Sequence, residues 1–194
     1  AAQRGTVTFL VPGGSHTVVA DSLVAEPGDT YYAVAEVTSL VAGSGTYGVA
    51  DVQTALGVSG FGGWSLVLIE HDSSMPERLL MVAAPLAVFE VGTPFSLEVG
   101  LLAPLNMGQA TLAGAAFECD RNLAGETLSL SGVAVPNFFR CTAPTGRNPG
   151  DDNLLGTDVF SSRFTGLSGQ QLSLDITSTD DRVMVGVIAV ALDV

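Results

Sequence analysis

The sequence holds four groups of side chains whose types could do chemistry. The first is Glu70-His71-Asp72, which closes the stretch GFGGWSLVLIEHD. Carboxylates beside an imidazole suit acid–base catalysis, but a triad needs its members within hydrogen-bond reach of one another. Successive residues of a strand point to opposite faces. On a strand, Glu70 and Asp72 share one side and His71 takes the other, so the three do not converge. No serine lies in a G-x-S-x-G elbow. The stretch therefore reads as a central buried strand. Its glycines form a tight turn, Trp64 enters the core, and Leu66-Val67-Leu68-Ile69 is covered on both faces. His16 follows a Gly-Gly turn and reads as an exposed strand residue.

The second group is acidic. Asp151, Asp152, Asn153 and Asp158 lie in or beside a segment, 142–157, rich in Pro, Gly, Asn and Asp, which reads as a long loop. Calcium takes several oxygen ligands, and such a loop can wrap them around the ion. The spacing matches no EF-hand, and the competing reading is a solvated loop. Calcium is thus the one candidate cofactor. The third group is the pair Cys119 and Cys141, expected to form a disulfide in an oxidising compartment. Closing a loop of about 22 residues, it contributes roughly 3 kcal/mol by chain entropy. The competing reading is two buried thiols in a reducing cell. Neither cysteine has the CxxC spacing of a zinc site. The fourth group is aromatic. Tyr31, Tyr32 and Phe139 are candidates for a glycan or interface platform. Of the neighbours Phe138 and Phe139, one faces inward on a strand and the other outward.

Composition limits the rest. The chain has 194 residues, enough for one domain with a sizeable core. Its formal net charge is −13, from 20 acids and 7 bases, and every base is arginine. An acidic surface repels phosphate backbones, so nucleic acid is not an expected partner. The lack of lysine excludes Schiff-base chemistry and Lys–Asn isopeptide cross-links. Charged residues are only 14% and hydrophobic ones 47%, which favours association with copies of itself or with a partner. No apolar run reaches the ~20 residues of a membrane-spanning helix. The start at AAQRG is compatible with a mature N-terminus left by signal-peptide removal, or with an arbitrary boundary.

The elements that must position these groups have a period of two almost throughout. TVTFLV at 6–11 alternates, PGGS turns, and HTVVADSLV returns, which predicts a hairpin. Val37, Leu40 and Val41 carry the spacing of one short helical turn, stopped by Gly43 and Gly45. The remaining chain breaks into short strands, among them ERLLMVAAPLAVFEV, TPFSLEVGLLAPL, GQATLAGAAFECD, DVFSSRF and QQLSLDITS. Gly166 and Gly169 mark a turn, and STDD at 178–181 marks a last hairpin before RVMVGVIAVALDV. The prediction is an all-β protein: a single β-sandwich or jelly-roll-like domain over 1–194, of about a dozen short strands with at most one helical turn.

Several pieces in order resemble a β-sandwich module of secreted bacterial and archaeal cell-surface proteins, the type found ahead of repetitive surface domains. They are YYAVAEVTSLVAGSGTYGVADVQ, GGWSLVLIEHD, ETLSLSG with NFF, and LGTDVF followed by LSLDITSTDDRVMVGVIAVALD. The resemblance implies a secreted, cell-surface role in structure, adhesion or assembly, with no enzymatic activity. That family usually carries one further N-terminal strand before the segment matching GTVTFLVPGGS. A sandwich short of one strand has an open edge that must be covered or paired. Val7, Phe9 and Val11 of segment 1–11 are therefore the candidate donor strand, with 183–194 as the second candidate. VAEVTSLVAGSGTYGV also resembles a segment of sugar-binding jelly rolls. The expectation is a non-enzymatic extracellular protein that self-assembles into a filament or coat by strand complementation. The alternative is a monomeric carbohydrate-binding or adhesin module with surface glycans as partners.

Overall fold

The computed structural model describes residues 4–25, 30–54, 62–84, 87–117, 125–136, 138–139, 157–180 and 182–193. It is all-β and antiparallel, with one short 3-10 turn among the described residues. The chain divides into two compact units, Ala1–Leu66 and Val67–Val194.

In the first unit, β1 (Thr6–Val11) pairs with β2 (Gly14–Val19) on one side and β5 (Gly48–Ala50) on the other. The predicted hairpin forms, with Pro12 and Gly13 between the strands. A second pair joins β3 (Ser22–Ala25) to β4 (Tyr31–Val34). The predicted helical turn is a 3-10 turn, Thr38–Leu40. Asp21 and Glu36 hold its entry. The Glu36 N–H donates to Asp21 Oδ2 at 2.7 Å, and the Thr38 N–H donates to Glu36 Oε1 at 2.7 Å.

The second unit is a β-sandwich made from one bent, seven-stranded sheet. The strand order is β10-β9-β11-β8-β12-β6, with β7 continuing along β12. Its frame is a pair of long strands, β8 (Phe95–Phe117) and β11 (Thr157–Thr177). The sequence predicts two short strands in each of these stretches. The structure runs them together, because Gly166 and Gly169 adopt left-handed φ values of 75° and 108°. Those glycines bend the ladder through register shifts between Thr165 and Gln171 instead of ending it.

The bend lays one half of the pair over the other. One layer holds β6 (Arg78–Ala83), β7 (Ala87–Phe89), β12 (Val183–Asp193), and the paired C-terminal part of β8 with the N-terminal part of β11. The other holds β10 (Val133–Pro136), β9 (Thr127–Leu130) and the remaining halves. Cross-strand partners share a face, so Leu112 and Val190 of the first layer meet Leu130, Leu172 and Leu174 of the second in one core. β11 and β12 do not form the predicted last hairpin, because β8 lies between them.

The β9–β10 turn is local and tight. Ser131 and Gly132 both have positive φ, 48° and 82°, the pattern of a type I′ hairpin.

Candidate functional site

The seven-stranded sheet ends in two margins of different character. At one margin, β10 is four residues long and ends on Pro136, which has no N–H to offer. At the other, β6 is six residues long and pairs only with β12 among the described residues. Its sequence RLLMVA carries one charge, and Arg78 donates through Nε to Asp193 Oδ1 at 2.8 Å. Leu79, Leu80 and Val82 are exposed, Val82 at 44%.

Register explains the exposure of Leu80 and Val82. Leu79, Met81 and Ala83 stand opposite Leu192, Val190 and Ile188, so they point into the sandwich. Leu80 and Val82 stand opposite Ala191 and Ala189 and point out. In the second layer, residues 95–100 of β8 likewise pair only with β11 among the described residues. Between these two free margins lies an apolar cleft of about 110 Å³. Met81, Val82 and Ala83 form one rim, and Leu97 and Val99 the other. Its floor is core: Leu130, Leu172, Leu174, Ile188 and Val190. The cleft thus opens the core between the two layers beside β6.

The outer face of the second layer is its opposite. Gln171, Ser173 and Asp175 alternate outward with Ser96, Glu98 and Ser129 as cross-strand neighbours. The Asp175 carboxylate accepts hydrogen bonds from Ser96, from Ser173 at 3.2 Å and from Ser129 at 3.5 Å. Gln171 Nε2 donates to Glu98 at 3.2 Å.

The residues singled out in the sequence fall as follows. Glu70, His71 and Asp72 are exposed, and the buried central strand expected there is absent. Residues 62–71 form no strand among the described residues. Trp64 and Val67 are exposed, with Leu68 at 53% and Ile69 at 63%. The unbroken aliphatic run demands cover on both faces, and no described strand supplies it. Asp72 caps a turn: its Oδ1 accepts from the Ser74 N–H at 2.8 Å and from the Ser74 hydroxyl at 2.7 Å. Those two bonds hold its carboxyl below the usual carboxylate range.

Within β1, Phe9 is buried against Tyr47, with ring centroids 5.9 Å apart, while Val7 and Val11 are half-buried. Both sides of β1 carry a ladder, so donating 1–11 to a neighbour requires breaking two pairings. Strand β12, the second candidate donor, is also paired on both sides. The Tyr31 hydroxyl donates to the Gln53 carbonyl at 2.7 Å, and the Arg4 guanidinium sits 5.6 Å from the Tyr31 ring centre. Tyr32 is half-buried, and burial raises its pKa. Phe139 is 1% exposed and packs edge-on against Phe138 and Phe160, so it is the inward ring of its pair and offers no platform.

Asp158 is 3% exposed on β11, not in a loop. Its proposed calcium partners Asp151, Asp152 and Asn153 lie outside the described residues, as do Cys119 and Cys141. Among the described residues, no group of three or more His, Cys, Asp or Glu could hold a metal ion, and no helix is long and apolar enough to cross a membrane.

The β6 margin was the feature that sequence reasoning missed. RLLMVA reads only as another strand. Its signal was an apolar run without alternation, which means apolar side chains on both faces of a strand.

No protein-family profile matches the chain, and no curated protein matches it. Among solved structures it is similar to dimeric latent PorU from Porphyromonas gingivalis. The TM-score is 0.44 and the sequence identity 14%, over 96% of this chain and 19% of that one. The chain thus spans about a fifth of the length of that protein.

Proposed function

We propose that this chain is a non-enzymatic, extracellular structural protein that assembles with copies of itself into a surface filament or coat by β-strand complementation. One observation carries the reading: the apolar cleft between the free margins of β6 and β8, beside exposed Leu79, Leu80 and Val82. An apolar edge strand with few charges is a template for pairing with another chain. Here the edge stands over an opening into the core, so an added strand gains backbone hydrogen bonds and apolar burial together.

The monomeric glycan-binding reading has less support. It requires exposed aromatic faces, and of its three candidate residues Phe139 is buried and Tyr31 is already engaged. Size-exclusion chromatography with electron microscopy tests the proposal. Concentration-dependent oligomers or filaments are expected, and a monodisperse monomer at high concentration would sink it.

A further inference from the structure

We infer that Met81 is an oxidation site that controls assembly: a peroxide that converts its thioether to the sulfoxide makes the β6 margin unfit to receive a strand. The inference rests on the assembly reading above and adds the regulation of the same cleft. The step is a two-electron oxygen transfer from hydrogen peroxide. The Met81 sulfur is oxidised and gains an S=O bond, the peroxide O–O bond breaks, and water leaves.

The chain has four methionines, and one of them combines access with apolar surroundings. Met107 is 71% exposed at the bend of β8, and Met75 is 54% exposed in the turn before β6. Both are already hydrated, so an added oxygen changes little there. Met184 is 7% exposed on β12, which shields it, with Phe117 and Val88 as its cross-strand neighbours. Met81 is half-buried. It stands opposite Val190, packs against the core and lines the cleft. The cleft holds about 110 Å³. One water needs only about 10–15 Å³ by the same measure, so an oxidant as small as hydrogen peroxide reaches the thioether.

The surroundings decide what the oxygen does. Every other side chain that lines the cleft is aliphatic, among them Leu97, Val99, Leu172 and Leu174. The thioether suits that lining, whereas the sulfoxide is polar and finds no side-chain donor in it. In the open cleft, water satisfies the sulfoxide oxygen. A strand added over the cleft sheds that water and leaves the oxygen unpaired. The loss therefore falls on assembly more than on the folding of the monomer. Burying one such acceptor weakens association by about tenfold or more.

Hydrogen peroxide added to the full-length protein tests this in three forms: wild type, Met81→Leu, and Met75→Leu combined with Met107→Leu. Peptide mass mapping reads oxygen uptake at each methionine. Sedimentation velocity reads the assembly threshold before and after treatment, and urea melts read the monomer. Met107 and Met75 should oxidise first, Met81 next and Met184 last. Treatment should raise the threshold of the wild type and of the double variant about tenfold, with the urea midpoint almost unmoved. The threshold of Met81→Leu should stay at its own untreated value. Met81 oxidising no faster than Met184 in the folded protein overturns the site. An equal rise in Met81→Leu overturns the attribution, and so does a wild-type threshold that stays put once Met81 is oxidised. If Met81→Leu does not fold, the wild-type time course decides. The threshold must then rise with the oxidised fraction of Met81, and a rise complete before Met81 is oxidised overturns the inference. A wild type that is monomeric before treatment overturns the assembly reading and the control with it, while the order of Met81 and Met184 in the map still decides the oxidation site.

Discussion

The two margins of the seven-stranded sheet face the same physical problem and meet it differently. Among the described residues, both present unpaired backbone groups, which invite another strand. The β10 margin is short, ends on a proline and lies next to Leu128 and Leu130, which are fully buried. The β6 margin is longer, has no proline, exposes leucine and valine, and lies over a cleft. Natural sheets blunt the edges that are to remain free. A margin left unblunted above an opening into the core is the one that the proposed assembly would cover.

The largest expected effect comes from the packed side. Leu128→Ala removes a wholly buried side chain facing Val135 and Ile176, and should cost about 2–5 kcal/mol in urea melts. Met81→Ala, facing the cleft, should cost about 1 kcal/mol, because a half-buried side chain at an opening leaves little new cavity. Equal losses would mean that the cleft is as tightly packed as the rest.

The next effect is on assembly. Ala134→Lys on β10 should leave the oligomer distribution unchanged, whereas Val82→Lys alone should raise the threshold concentration about tenfold by light scattering. Reversal of that order would move the contact to the other margin. A milder change sharpens the comparison: Ala83→Ile should fill part of the cleft, raise monomer stability by up to about 1 kcal/mol and weaken assembly.

Much of the fold was legible from alternation and turns. TVTFLV-PG-GSHTVV forms its hairpin where two strand-like runs flank a Pro-Gly turn signal. Val37, Leu40 and Val41 mark the single helical turn. The failures share one cause: long-range pairing is invisible to local pattern. Gly166 and Gly169 look like the end of a strand, and only the partner β8 turns them into a bend within one. STDD looks like a hairpin turn, yet β8 comes between its flanking strands. The run Leu66–Ile69 announces a need for cover on both faces but does not say which chain provides it. The cleft itself could not be read from RLLMVA. It exists because β6 and residues 95–100 of β8, far apart in sequence, lie at facing margins.

Charge gives a smaller test. Copies carrying a formal charge of −13 repel one another, so assembly should strengthen as salt rises from about 10 to 150 mM. Weakening over that range would point to ion pairs in place of apolar strand addition. The smallest effect concerns Asp72, in the turn that precedes β6. Its carboxyl pKa is depressed by the Ser74 hydroxyl and N–H. The contribution of that turn is therefore present above the ordinary carboxylate pKa and is lost as pH falls below about 4, through the lower folded value. Ser74→Ala should raise the Asp72 pKa in an NMR titration, and an unchanged value would remove the hydroxyl as its cause.

Hydrogen exchange across a concentration series reads the central claim most directly. If copies add strands at the β6 margin, amides at 78–83 gain protection as concentration rises, while those of β10 at 133–136 do not change. Protection of 78–83 that is the same at all concentrations, or a gain confined to 133–136, would contradict it.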